Sequence, residues 1–499
     1  MGVMRFQLPS SRPDGTAPAL YRAYISGFDG RVYATRIEIA HEALLCRRST
    51  SDSGRLNVAW PVEGFGLPVL STASLMERQE PYLLPVELAR GKICQVRDQL
   101  GAWQLAGMMI PEEVQLLQRE AQSLFARAAS NQADAEAAAD FAQKALTKAC
   151  QAADQVVRSY TRQRLYVRRR KGGGLPTFLG CDPGTIALDS EWTGRFREAF
   201  TAAMVPVRWN EIEPNEGEYD WSAGDAIVEW CRENRLTPFG GPLLDFGPNG
   251  LPRWLEKWEH DFFNLQSFLS DFVETAIGRH IGRIRYWEVA ARANTGGGLA
   301  LTEEHRLMLV ARVLETARQV DADLQLMIRI DQPWGDYQAR GQHQLTPMQF
   351  VDALLRSGVG LSAVNLEFAI GYRPRGTAPR DLMDFSRLLD QWGGLGLPLN
   401  VQFALPANPN VDLNSDSDLE VDPAQGGGWT ESQQAEWVDR YLPLTMSKQG
   451  VMGVFWSHFQ ESAPHHFPNA GLIREDESLR PAYGKIVQLR KDYLKGDEK

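Results

Sequence analysis

The chain has 499 residues and a formal net charge of −10, with a pI of about 5.5, which excludes a generic polyanion binder. With 43% hydrophobic and 23% charged residues, the composition is that of a globular protein with about two to four domains. No apolar run is long enough to span a membrane and the first ten residues lack the apolar stretch of a secretory signal, so we expect a cytoplasmic protein as written, or one exported by an unrecognised route.

Residues 1–108 alternate short apolar runs with turn residues, a spacing that predicts a small β-rich domain. The runs are Leu20–Gly30, Val32–Ile39 and Gly91–Val96. A carbohydrate-binding sandwich is one hypothesis for this domain, and it rests only on the position of the domain in the chain.

Residues 109–174 are rich in Ala, Gln and Glu, with apolar residues at helical spacing. They predict a packed hairpin of two helices, broken near Ser130–Ala133. The run Arg168–Gly174 predicts a short basic linker rather than a nucleic-acid site.

Residues 175–490 repeat a regular unit, a short apolar run followed by a loop and an amphipathic stretch. The eight predicted strands are Thr177–Cys181, Ala203–Arg208, Thr237–Gly241, Ile284–Ala290, Leu324–Ile330, Ala363–Ala369, Leu399–Ala404 and Val451–Trp456. Helical segments lie between them, and eight β-then-α units in about 310 residues predict a (β/α)8 TIM barrel. Its site should lie at the carboxyl ends of the strands, and residues 491–499 are expected to form a charged tail.

The strand ends of this predicted barrel carry the motifs Val207–Trp221, Gly240–Leu255, Ile284–Asn294, Gly453–Trp456, Ala470–Ile473 and Arg480–Tyr483. These motifs resemble those of glycoside hydrolase family 10, the endo-β-1,4-xylanases. The resemblance covers residues 176–490. It implies a retaining glycosidase barrel, in which one carboxyl group protonates the leaving group and a second attacks the anomeric carbon.

Both catalytic glutamates of the family are replaced at the matching positions. Where the family has an acid/base Glu after Asn, this chain has Ala291 and Arg292, and an arginine does not donate a proton near neutral pH. Where the family has its nucleophile at the end of strand seven, this chain has Gln402 and Phe403. The resemblance therefore predicts the scaffold of the family without its chemistry.

The first hypothesis is a carbohydrate-binding barrel without the retaining xylanase chemistry, that is, a pseudoenzyme. Tryptophan faces suit pyranose rings, and arginine forks suit an acidic sugar. The substrate-binding candidates are Arg208, Trp209, Arg292, Trp334, Trp456 and His458, with Trp429 as a further stacking face and Arg329 as a further arginine. For each tryptophan, packing in the core is the alternative.

The second hypothesis is hydrolysis with relocated carboxylates, using Glu367 together with Asp331 or Asp245. The alternative for Glu367 is an ion pair with Arg208 or Arg292, because an arginine at the barrel mouth requires a compensating carboxylate. In an ion pair the pKa of Glu367 falls, whereas a general acid requires a raised pKa.

The third hypothesis is an intracellular scaffold or assembly protein. A barrel mouth filled by Phe403 and Arg292 would favour it, and a mouth lined by Trp209, Trp456 and Glu367 would favour a sugar site. No sequence feature indicates a nucleotide, flavin or metal cofactor, and Asp412–Asp418 lacks the spacing of a calcium loop. The expected partner is an oligo- or polysaccharide, with no nucleic acid and no membrane.

Overall fold

The computed structural model describes residues 2–10, 16–40, 42–170, 173–184, 190–341, 343–422 and 428–494. Within them the chain forms an amino-terminal β-rich domain, a helical connector and a closed barrel. No helix in these ranges is long and apolar enough to cross a membrane. Parts of the predicted linker and tail, residues 171–172 and 495–499, lie outside the described residues.

The amino-terminal domain consists of two four-stranded sheets, ordered β4-β5-β1-β8 and β3-β2-β6-β7. Their elements are β1 (Gly2–Gln7), α1 (Thr16–Leu20), β2 (Tyr24–Ser26), β3 (Val32–Tyr33), β4 (Arg36–Ala40), β5 (Ala43–Arg48), β6 (Arg55–Ala59), β7 (Val69–Ser71) and β8 (Tyr82–Leu83). Met4 and Phe6 on β1 alternate with half-buried neighbours, so one face of that strand is in the core. The predicted β-rich region is confirmed.

The prediction that Gly91–Val96 belongs to the β-structure of this domain is wrong, because the segment lies inside helix α2 (Leu84–Leu105). Pro85 occupies the first turn, where its missing N–H costs nothing. The buried residues Ala89, Ile93, Val96 and Leu100 follow helical spacing, which explains why a short apolar run was mistaken for a strand.

The connector consists of α3 (Glu112–Ser130) and α4 (Ala135–Arg169), which agrees with the predicted helical hairpin and its break. The Asp134 side chain caps α4 by accepting a hydrogen bond from the Ala137 N–H at 3.1 Å. Arg168 belongs to α4 rather than to a linker, and its guanidinium donates to the Lys448 carbonyl at 3.0 Å.

Eight parallel strands close the barrel, each paired with the next and the last with the first. They are β9 (Phe178–Cys181), β10 (Ala202–Val205), β11 (Thr237–Gly240), β13 (Tyr286–Ala291), β14 (Gln325–Asp331), β15 (Ala363–Ala369), β17 (Leu399–Ala404) and β19 (Val451–Trp456). Short strands β12 (Leu244–Asp245), β16 (Tyr372–Arg373) and β18 (Glu420–Val421) lie in the loops between them. The predicted (β/α)8 barrel is confirmed.

Helices surround the barrel, and several begin at a Thr or Asp whose side chain caps the first turn, as Thr346 does for α10. They are α5 (Ser190–Ala199), α6 (Trp209–Ile212), α7 (Ser222–Asn234), α8 (Phe262–Arg279), α9 (Glu303–Val320), α10 (Pro347–Arg356), α11 (Leu382–Gly393), α12 (Glu431–Ser447) and α13 (Pro481–Tyr493). Among the described residues, 3-10 helices cover Arg253–Trp258 and Asp336–Ala339. Because α13 extends to Tyr493, the predicted tail begins later than residue 491.

The amino-terminal domain and α2 pack directly against the barrel. Lys92, on α2, is 3% exposed and its Nζ lies 2.5 Å from the Asp381 carboxylate at the start of α11. The Arg380 guanidinium donates to the Tyr24 hydroxyl at 2.6 Å and to the Asp336 carboxylate at 2.8 Å. These buried polar contacts fix the domain in one position on the barrel.

Candidate functional site at the barrel mouth

Side chains inside the barrel change from apolar to charged towards the carboxyl ends of the strands. Along β14 the inward residues are Met327, then Arg329, then Asp331. Along β15 the series ends at Glu367, which lies beside Asp331 on one neighbouring strand and beside Gln402 on the other. Since alternate residues of a strand face the same side, this layer holds the polar groups of the mouth.

Arg292 follows β13 and occupies the centre of this layer. Its backbone has φ +56°, a left-handed conformation that turns the side chain back over the barrel. The guanidinium binds Glu367 through two contacts, Nε to Oε1 at 3.1 Å and Nη2 to Oε2 at 3.0 Å. Its Nη1 lies 2.7 Å from the Asp245 carboxylate, so Arg292 joins two carboxylates from different loops and strands.

Arg329 binds the other side of Glu367, with Nη1 3.2 Å from Oε2. Its Nη2 lies 2.6 Å from the carboxylate of Glu288. Burial opposes ionisation of Glu367, but Arg292 and Arg329 outweigh burial and lower the pKa of its carboxyl group. Glu367 is therefore ionised and held in ion pairs. The predicted ion pair with Arg292 is present, whereas Arg208 is not a partner of Glu367.

The carboxyl group of Asp331 is in the opposite state. It is 2% exposed, and burial together with the negative charge of Glu367 raises its pKa, against the effect of Arg292. Its oxygens accept hydrogen bonds from Thr295 and Gln332 at 3.3 Å each. Asp331 and Glu367 lie below the cavity floor rather than in its lining, whereas Asp245 lines the cavity.

A cavity of about 150 Å³ opens above this layer at the carboxyl ends of the strands. It is small beside the 300–1,000 Å³ that is typical of pockets for drug-sized ligands, at about half the lower figure. The charged and imidazole residues in its lining are Asp182, Arg208, Glu211, Asp245, Arg292, Arg329, Asp416, His458, His465 and His466. Gln402 and Asn210 add neutral amides.

Arg208 lines the cavity on the β10 side but does not contact Glu367. Its guanidinium lies 2.8 Å from Glu211, 3.5 Å from Asp182 and 3.9 Å from Asp416. The prediction that Arg208 pairs with Glu367 is therefore wrong, because nearer carboxylates on its own side of the mouth neutralise it. Burial raises the pKa of Asp182, and the charge of Arg208 only partly offsets this effect.

His458 stacks on His465 with ring centroids 4.3 Å apart. The Asp412 carboxylate lies 2.9 Å from Nε2 of His465. Burial and the charges of His465 and nearby arginines hold the pKa of His458 well below its usual range, so this imidazole is neutral. Its Nε2 is buried and has no hydrogen-bond partner among the described residues.

The predicted tryptophan faces are not in the described lining of this cavity. Trp209 is 1% exposed and stacks on Phe272 at 4.5 Å, and Trp456 is 1% exposed with Nε1 bonded to the Ala470 carbonyl at 2.8 Å. Trp429 is buried beside Trp437. The predicted sugar-stacking roles of Trp209, Trp456 and Trp429 are therefore wrong, because each ring packs in the core. The half-buried Trp334 lies elsewhere, between the barrel and the amino-terminal domain.

Gln402 is the inward residue at the end of β17, and sequence reasoning placed more weight on Phe403. Phe403 is fully buried on the outer side of the strand, where it stacks near Phe368 and Phe385 at 5.9 Å each. Strand alternation is the signal that identifies Gln402, because Val401 and Phe403 belong to the outer core while Asn400 and Gln402 face inward.

Within the described residues, no group of three or more His, Cys, Asp or Glu side chains has the arrangement of a metal site.

Residues 199–370 match the model of Glycosyl hydrolase family 10. Endo-1,4-beta-xylanase B of Thermotoga neapolitana is 21% identical over 307 residues, covering 58% of this chain and 80% of the relative. Endo-1,4-beta-xylanase A of Phanerodontia chrysosporium is 22% identical over 269 residues, 49% of this chain and 60% of the relative. Endo-1,4-beta-xylanase 3 of Hypocrea jecorina strain QM6a is 27% identical over 167 residues, 32% of this chain and 46% of the relative.

Similar solved structures include xylanase B from Clostridium stercorarium F9, with a TM-score of 0.48 and 17% identity over 65% of this chain and 98% of that chain. A family 10 structure from Paenibacillus barcinonensis has a TM-score of 0.49 and 16% identity over 66% of this chain and 97% of that chain. The family match lies inside the barrel, so this part of the chain is similar to Glycosyl hydrolase family 10.

Proposed function

We propose that the barrel binds a neutral β-linked oligosaccharide at its mouth and does not hydrolyse it by the retaining mechanism. The observation that carries the proposal is the pair of residues at the ends of the fourth and seventh strands, Arg292 and Gln402. One is a guanidinium held by Glu367 and Asp245, and the other is a neutral amide facing the cavity.

Retaining hydrolysis needs two carboxyl groups about 5–5.5 Å apart, one protonated and one free to attack. An arginine does not supply the proton, and an amide does not form the glycosyl-enzyme ester. Glu367, the best relocated candidate, is 2% exposed and bound by two guanidinium groups, so it neither reaches the sugar nor carries a proton. Asp331 is equally buried.

A neutral sugar is favoured because the charges of the mouth are already balanced. Each arginine in the lining has carboxylate partners within 4 Å: Arg208 has Asp182 and Glu211, Arg292 has Asp245 and Glu367, and Arg329 has Glu288 and Glu367. An acidic sugar would have to displace them, whereas sugar hydroxyls can bond to the amides of Asn210 and Gln402. The relatives named endo-1,4-beta-xylanases make xylo-oligosaccharides the first ligands to test.

The test is calorimetric titration of xylobiose and xylotriose into the full chain, alongside a reducing-sugar assay on xylan. We expect binding without release of reducing ends. Gln402→Met should weaken binding by about tenfold, as for the loss of one or two buried hydrogen bonds. The matched control is Gln115→Met, at an exposed residue of α3. Hydrolysis of xylan with retention, or no binding of either sugar, would overturn the proposal.

Hydrolysis by other carboxylates is the second candidate function, and the raised pKa of Asp182 is the observation that favours it. Asp182 and Asp245 both line the cavity, one with its proton favoured and the other beside Arg292. Environments that differ in this way can support acid and nucleophile roles. If oligosaccharides are cleaved, Asp182→Asn and Asp245→Asn should each abolish turnover. If cleavage survives both changes, this assignment is wrong.

A further inference from the structure

A second cavity lies between the amino-terminal domain and the barrel, outside the mouth. It has two parts, of about 390 Å³ and 360 Å³. Arg55, Ser71, Trp334, Asp384, Leu388 and Gln391 line both parts, so the two form one continuous cleft. Each part has more than twice the volume of the barrel-mouth cavity.

Three arginines line this interdomain cleft without an ion pair among the described residues: Arg31 in the larger part, Arg387 in the smaller part, and Arg55 in both. In a chain of net charge −10, arginines that lack carboxylate partners mark a place where an anion is favoured. Four aspartates also line the cleft. Asp381 binds Lys92, Asp384 binds Arg380, Asp98 binds Arg97, and Asp29 accepts a hydrogen bond from the Arg31 backbone N–H.

The wall of the cleft completes this chemistry with Trp334 and the amides of Asn57, Gln349 and Gln391. The indole of Trp334 lies under the Arg380 guanidinium, with 4.8 Å between the guanidinium carbon and the ring centroid. An aromatic surface and several amides suit a sugar ring. Arginines distributed along both parts suit a ligand that carries one negative charge on each of several units.

We propose that the interdomain cleft binds an acidic oligosaccharide, a short chain of uronic acid residues. Its carboxylates contact Arg31, Arg55 and Arg387, and a ring lies against Trp334. The free arginine forks bind carboxylates in two-point contacts, which the occupied arginines of the barrel mouth do not offer. A nucleotide would place its charges on adjacent phosphates and would use one of these arginine positions rather than all three.

The test is calorimetric titration of the full chain with a galacturonic acid trimer, with xylotriose and ATP as the comparison ligands. We expect the trimer to bind more tightly than either comparison ligand, and to bind more weakly as NaCl is raised from about 50 to about 200 mM. Arg55→Gln and Arg387→Gln should each weaken trimer binding by about tenfold, as for the loss of a charged hydrogen bond. The matched control, Arg119→Gln on the exposed side of α3, should not change it.

The outcome is independent of the barrel mouth. Gln402→Met should leave trimer binding unchanged, and if it abolishes that binding, the trimer occupies the mouth and the proposal is wrong. The proposal is also overturned if no trimer binding is detected, if Arg119→Gln has the same effect as Arg55→Gln, or if ATP binds more tightly. Melting curves of each variant show that the fold is retained.

Discussion

Replacing Glu367 with glutamine removes the negative charge that holds two buried guanidinium groups together. The carboxylate accepts three contacts of 3.0 to 3.2 Å from Arg292 and Arg329. In Glu367→Gln one oxygen becomes an amide that points its own hydrogens at a guanidinium. Asp245 and Glu288 still balance part of the positive charge, so both arginines keep one partner.

Breaking a buried ion pair by removing one partner costs about 3–5 kcal/mol. A barrel of about 320 residues has an unfolding entropy of about 0.7 kcal/mol/K, at roughly 2.1 cal/mol/K per residue. The two figures give a decrease in melting temperature of about 4 to 7 °C at pH 7. Glu274→Gln, at an exposed residue of α8, is the matched control and should leave the melting temperature unchanged.

The pH dependence follows from the lowered pKa of Glu367. A carboxyl group with a lowered folded pKa stabilises the fold above its unfolded pKa of about 4.3, and this contribution is lost as the pH falls through the folded pKa. The difference between wild type and Glu367→Gln should therefore be full at pH 7 and shrink below pH 4. Differential scanning calorimetry at pH 7 and pH 3.5 measures it. A change below 1 °C at pH 7, or a difference that does not vary with pH, would refute the ion-pair reasoning.

Three further perturbations follow from the structure. The pKa of Asp331 is raised to about 7, so its ionisation destabilises the fold as the pH rises from about 4 to 7. Asp331→Asn should therefore make the protein more stable than wild type at pH 8 but not at pH 4, as measured by urea midpoints. Equal midpoint shifts at the two pH values would contradict this. The double variant Arg292→Glu with Gln402→Glu should not cleave aryl xylobiosides, because it adds two carboxylates to a layer that loses its central cation. Measurable turnover would show that the surrounding groups do support the retaining chemistry. Lys92→Met should lower the free energy of unfolding by about 3 kcal/mol or more, because it leaves the buried Asp381 carboxylate without its cation. An unchanged urea midpoint would show that this ion pair does not hold the amino-terminal domain on the barrel.

The barrel was predictable because its sequence repeats a buried strand and an amphipathic helix eight times. Three predicted strands match the structure residue for residue, including Ala363–Ala369. The helix over Gly91–Val96 was not predicted, because a six-residue apolar window fits either period and only the longer run from Leu84 resolves it. An apolar run of six residues is compatible with both a strand and a helix.

The ion pair of Glu367 with Arg292 was predictable from charge balance, but the second partner was not. Arg329 lies on the neighbouring strand at an inward position, whereas Arg208 has its own carboxylates, and this choice depends on three-dimensional distances. The stacking roles of Trp209 and Trp456 were wrong because a strand-end position does not specify which way a ring points. Alternation along the strand would have favoured Gln402 over Phe403.

The contacts between the amino-terminal domain and the barrel also constrain the order in which the chain folds. Tyr24 bonds to Asp336, a partner 312 residues later in the sequence. At a synthesis rate of about 5–20 residues per second, Asp336 leaves the ribosome about 15 to 60 s after Tyr24. During that time the two amino-terminal sheets have only α2 and the connector to pack against, and their polar barrel-facing side chains are in water. The hydrogen bond between Tyr24 and Asp336 therefore forms only after the barrel segment that carries Asp336 has been synthesised.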